Sequence, residues 1–135
     1  MNWQFSICMW LLAVFSIFVC NGTAPAGAGS ESVPVMVGGS DMYDACSGVG
    51  EVTELDPNGD YYLSVRTGPG TKFKEIDRLP MGAAVFLCDE KGNWHGIVYP
   101  QGDCGVMTSI QTRQPYRGVC KSGWVYKKYI KVVAG

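Results

Sequence analysis

The chain has 135 residues, and 18 glycines and 7 prolines are spread along it. Removing an N-terminal export segment leaves roughly 105 to 110 residues, enough for one domain and too few for a second; the turn-rich composition favours short strands over long helices, so the expected fold class is all-β. The 11 Lys and Arg nearly cancel the 12 Asp and Glu, for a net charge of −1, and so no long-range field gathers nucleic acid or anionic membranes.

The chain opens without a charged side chain from Met1 to Cys20, and Ile7 through Val19 are apolar except for Ser16. This is the pattern of a signal-peptide core. Ala24-x-Ala26 and Ala26-x-Ala28 both offer the small residues a leader peptidase needs, so residues 1–26 are expected to be a leader cut after Ala26 or Ala28. Because Asn2, Trp3 and Gln4 supply no cation, a retained membrane anchor is the competing reading; with the leader removed, no stable membrane insertion is expected. Lipidation at Cys20 is opposed by the bulky Ile17-Phe18-Val19 before it. Residues 27–45, with several glycines and Pro34, form an expected flexible tether with one extended piece at Val33 to Val37.

Cleavage takes Cys8 and Cys20 with the leader and leaves Cys46, Cys88, Cys104 and Cys120. An even number in an exported domain implies two disulfides in the periplasm or outside the cell. Sequence does not choose among the three pairings that four cysteines allow; the one favoured is Cys104 with Cys120 and Cys46 with Cys88. The first would close a glycine- and proline-containing excursion, for about 3 kcal/mol in the chain-entropy model. The second would tie the N-terminal segment to the strands. A zinc site is the weaker alternative, because there is no C-x-x-C pair and His95 is the one histidine. No metal and no cofactor is expected.

Strand signals then follow in quick succession, each bounded by turn residues. Val49 to Leu55 runs into Asp56-Pro57-Asn58-Gly59, where Asn-Gly tolerates the left-handed region. Tyr62-Leu63-Ser64-Val65-Arg66 alternates, Leu63 and Val65 to one face, before a reversal at Gly68-Pro69-Gly70. A type II turn there would place Gly70 at positive φ. Phe73, Ile76 and Leu79 lead to Pro80-Met81-Gly82, and Ala83 to Cys88 makes a central strand. A hairpin loop at Asp89 to Asn93 returns as Trp94 to Tyr99, large on both faces, with Ile97 assigned inside and Trp94 to the rim. After the excursion holding Cys104 and Cys120 come Gly123 to Tyr126, a 3₁₀ turn at Lys127-Lys128-Tyr129, and a last strand ending at Val133. Arg113, Arg117, Lys121, Lys127, Lys128 and Lys131 form a basic cluster best explained as a solvated face.

In their order, Leu63-Ser64-Val65-Arg66-Thr67-Gly68-Pro69-Gly70 and Leu79-Pro80-Met81-Gly82 resemble the first half of the bacterial SH3 family. Asn93-Trp94-His95, Gly123-Trp124-Val125 and Lys128-Tyr129-Ile130 resemble its paired tryptophan strands and closing turn, for coverage of roughly residues 48 to 133. The resemblance implies a small five-stranded SH3-like barrel over 46–135, exported and binding cell-wall peptides or other proteins. The departure is a cysteine-containing insert at about 100–122, placed so that it could cover an inherited site.

Catalysis is not expected, since a nucleophile needs a base and an orienting group and the cysteines are better explained as half-cystines than as partners for His95. A Cys/His-dependent enzyme is the remote alternative. Rings are plentiful for so small an interior, and Tyr and Trp bind with few torsions to freeze. Trp94, Tyr62 and Trp124 are therefore the candidate floor of a binding groove, with Arg66 and His95 as polar rim groups. The expected partner is a peptide, a peptidoglycan fragment or a protein in the cell envelope; the alternative is a dedicated protein-interaction role as an inhibitor or assembly subunit.

Overall fold

The computed structural model describes residue 22 and residues 31–135. Apart from Gly22, the expected leader with Cys8 and Cys20 lies outside the described residues, as does the tether up to residue 30.

The described chain is all-β apart from one 3₁₀ turn at Lys127–Tyr129. In order the strands are β1 Met36–Val37, β2 Gly48–Val52, β3 Tyr62–Arg66, β4 Glu75–Pro80, β5 Ala84–Lys91, β6 Trp94–Tyr99, β7 Gln114–Pro115, β8 Lys121–Tyr126 and β9 Ile130–Ala134. No helix among the described residues is long and apolar enough to cross a membrane. β1 pairs with β7, and the other seven strands form one antiparallel sheet in the order β4-β3-β8-β6-β5-β2-β9. The expected closed barrel of five strands is thus corrected to an open sheet of seven. Among the described residues β4 pairs with β3 alone and β9 with β2 alone, and the two edges do not pair with each other.

β3 and β6 fall where the sequence places them, and the 3₁₀ turn does too. β5 runs past its expected end to Lys91, so the hairpin tightens to Gly92-Asn93, with Gly92 at φ 55°. The Asp56 turn closes through Gly59 N–H to the Asp56 carbonyl at 3.1 Å, and the Asn58 N–H donates to Asp56 Oδ1 at 2.8 Å; neither Asn58 nor Gly59 takes a positive φ. Gly70 is a second correction, since its φ is not positive and a Cβ there would make only ordinary contact with Phe73 at 3.4 Å. The glycine this reversal requires is Gly68, where a Cβ would lie 2.4 Å from the Phe73 ring.

The sheet carries a core on each face. On the inner face Val52, Leu55, Leu63, Val65, Leu79, Val85, Leu87, Ile97, Tyr99 and Val125 pack together; among them are Leu63 and Val65, the pair that alternation in β3 puts on one face, and Ile97, assigned inside. On the outer face of β2, β5 and β6, Val49, Phe86 and Val98 are covered by Val37, Ala45, Cys46, Cys104 and Val106. The described part of the 27–45 segment is therefore a packed cover rather than a free tether, with Val35 and Val37 both buried. Segment and insert are knitted by backbone bonds, Tyr116 N to Val35 O at 2.8 Å, Gly39 N to Ile110 O at 2.8 Å and Ala45 N to Thr108 O at 2.8 Å.

Two disulfides lock this cover down, Cys46–Cys88 and Cys104–Cys120, the favoured pairing. Such bonds are made and kept in an oxidising, non-cytoplasmic environment. A polar hub completes the attachment. Buried Asp89 on β5 accepts from Met36 N at 3.0 Å and from Arg113 Nη2 at 2.8 Å, so one carboxylate joins segment, insert and sheet. A charge so enclosed is tolerable because its oxygens are bonded and its counter-ion is in contact.

Candidate functional site

Alternation in β3 buries Leu63 and Val65 and turns Tyr62, Ser64 and Arg66 outward. Two strands away, Trp94 at the start of β6 stands opposite Tyr126 at the end of β8. Their rings meet edge to face with centroids 5.5 Å apart, a favourable arrangement of aromatic quadrupoles. The 3₁₀ turn then brings Tyr129 beside Tyr126 at 6.2 Å, because residues three apart eclipse in that helix. A bond from Lys127 N to Asn93 O at 2.8 Å ties this turn to the β5–β6 hairpin and fixes the ring cluster against it.

Tyr62, Trp94, Tyr126 and Tyr129 line one groove of about 570 Å³, with Leu55 at its base and Asp56, Asp60 and Arg66 among its polar groups. The Arg78 guanidinium lies 4.1 Å from the Tyr62 ring centroid and holds that ring from outside the groove. Arg66 is only partly available, since its Nη1 donates to Phe73 O at 2.9 Å and shapes the Gly68 reversal.

Three of the five expected site residues, Tyr62, Trp94 and Arg66, thus share the groove, and two do not. Trp124 is fully buried on the outer face, where its Nε1 donates to Val33 O at 2.8 Å. It is a pillar under the N-terminal cover, and its place on the expected groove floor is corrected. Opposite it, Gly96 leaves the room this cover needs, since a Cβ there would lie 3.1 Å from Val35 and 2.7 Å from the Asp89 Cβ. His95 lines a separate cleft of about 470 Å³ with Asp89, Glu90 and Arg113. Burial, and then the nearby Lys127 ammonium, hold its pKa below the ordinary imidazole value. Lys127 also bonds to Glu90, holding that carboxyl below its usual range.

Tyr126, Tyr129, Asp56 and Asp60 were not singled out from sequence as site residues. The signal for the two tyrosines is present there, in their three-residue spacing across a 3₁₀ turn.

No protein-family model, curated protein or solved structure matches this chain.

Proposed function

We propose that this chain is an exported, non-catalytic binding module of the bacterial SH3 kind, which takes an extended peptide of the cell envelope into the Tyr62–Trp94–Tyr126–Tyr129 groove. The observation that carries the reading is the convergence of four rings from four separate elements on one open groove that also carries Asp56, Asp60, Ser64, Arg66 and Thr71. Ligand sites are concave, largely apolar and set with a few placed polar groups, and Tyr and Trp are the side chains that dominate such contacts. The order of the Leu63 to Gly70, Trp94 and Gly123 to Ile130 segments supports the family assignment, and the apolar leader supports export. Binding rather than catalysis is supported by the state of the cysteines: Cys46, Cys88, Cys104 and Cys120 are all bonded, so among the described residues His95 has no thiolate to activate.

The test is cosedimentation of the oxidised protein with purified sacculi, together with titration of soluble wall peptides. Trp94→Ala and Tyr126→Ala should each cost about 2 kcal/mol or more, roughly thirtyfold in affinity, with the near-UV circular dichroism otherwise native. Full binding in both variants would dismiss the groove.

A further inference from the structure

The open sheet has two edges, and they are finished differently. β4 is closed to further pairing by its own chemistry. The Arg78 N–H is taken by the Asp77 carboxylate at 2.8 Å, Arg78 Nε bonds Glu75 at 2.7 Å, Lys121 reaches Asp77 at 3.3 Å, and the strand ends in Pro80. Charge and proline are standard protections for an edge.

β9 has no proline, and Lys131 is its one charged residue. Its sequence is Ile130-Lys131-Val132-Val133-Ala134, Val132 and Val133 are half-exposed, and β2 is its one strand partner. Among the described residues no backbone or side-chain group bonds to the far side of this strand. At its Ala134 end lies an apolar pocket of about 410 Å³ lined by Tyr43, Met107, Val49 and Cys46, with Asp44 also lining it. Tyr43 and Met107 are both exposed.

We propose that β9 pairs antiparallel with β9 of a second copy of this chain, joining the two sheets across a two-fold axis at Val132. The occupant is set by the distribution of charge along the edge. Acidic Asp44 lines the pocket at the Ala134 end, while Lys128 and Lys131 belong to the Ile130 end. Among the described residues none of these three forms an ion pair, and Lys131 lies across from Glu51 of its own β2 without closing a bridge. Antiparallel pairing about a two-fold axis superposes opposite ends, so each acidic, pocket-bearing end meets the basic end of the other copy. Complete overlap of the five-residue strand on itself puts Val132 opposite Val132 and Ile130 opposite Ala134, with Lys131 opposite Val133. Val132 thus faces Val132 and Ile130 faces Ala134, and no like charges stand opposite each other.

Sedimentation velocity on the oxidised protein should show a concentration-dependent dimer. Val132→Glu and Val132→Lys, each placing like charges together at the axis, should weaken self-association by about tenfold or more. An equimolar mixture of the two variants should recover a heterodimer at wild-type concentrations, which also shows that both variants are folded. A wild-type monomer up to high micromolar concentration would overturn the proposal. So would a dimer that neither variant weakens, or a mixture that stays monomeric while each variant keeps a native near-UV spectrum.

Discussion

The same strands carry two cores that are built on different terms. On the inner face, Leu63, Val65, Val85, Ile97 and Val125 come from long ladders of the sheet and hold by packing alone. On the outer face, the cover contributes only the two-residue strands β1 and β7, and it is fastened by two disulfides, the Asp89 hub and the Trp124 bond to Val33. The difference teaches that a segment with little regular pairing of its own becomes part of the fold when sulfur and one buried carboxylate offset its ordering entropy.

The largest expected effect is on the inner side. Ile97 is fully buried between β5 and β8, so Ile97→Ala should lose about 2 to 5 kcal/mol through the cavity it leaves. Since the cover rests on the same strands, fluorescence and circular dichroism should report one coincident transition in denaturant. Separated transitions would mean that the two layers fold independently, and the contrast would then be one of domains.

The inner layer was largely legible in the sequence and the outer layer was not, for a reason visible in β6. Alternation reports which face of a strand is wet, and β3 has one wet face, so its buried and exposed residues could be assigned from sequence. In β6, Gly96, Ile97, Val98 and Tyr99 are all buried. A strand buried on both sides shows no alternation, and the sequence then cannot say that a second layer exists. Trp124 was misplaced for the same reason. Its neighbours in sequence mark it as a strand residue, but only the return of Val33, 91 residues away, shows what covers it. The groove fared better because Tyr62 and Arg66 sit at positions that alternation in β3 turns outward, while Trp94 rests on the count of rings and on its place in the resembled pattern.

A smaller effect should separate the layers. Cys104 and Cys120 are 16 residues apart, and replacing both by serine should cost no more than about 3 kcal/mol. The loss should be local. Tyr116, whose hydroxyl bonds Cys104 O at 2.9 Å and accepts from Cys120 N at 3.1 Å, loses its bracing. Amide exchange should therefore quicken from Val35 to Val37 and across residues 104–116, while β3 and the β8 core keep their protection. Equal acceleration everywhere would show that the insert disulfide supports both layers alike.

The smallest effect lies at the seam between the layers, where His95 shares a cleft with Leu87 of the inner core and with Cys88 and Arg113 of the outer attachment. Burial, followed by Lys127, lowers its pKa from 6.5 in the fold, and Glu90 opposes only part of this. As pH falls, the unfolded chain binds this proton before the folded one does, so the contribution to stability is complete above the unfolded value and is lost as pH drops through the lower folded value. A modest fall in Tm between about pH 7.5 and about pH 5.5 should follow, part of it absent in His95→Gln. The imidazole titration followed by NMR should have its midpoint below 6.5. A midpoint above that value would mean that Glu90 rather than burial governs the ring, and that water reaches the seam between the two cores.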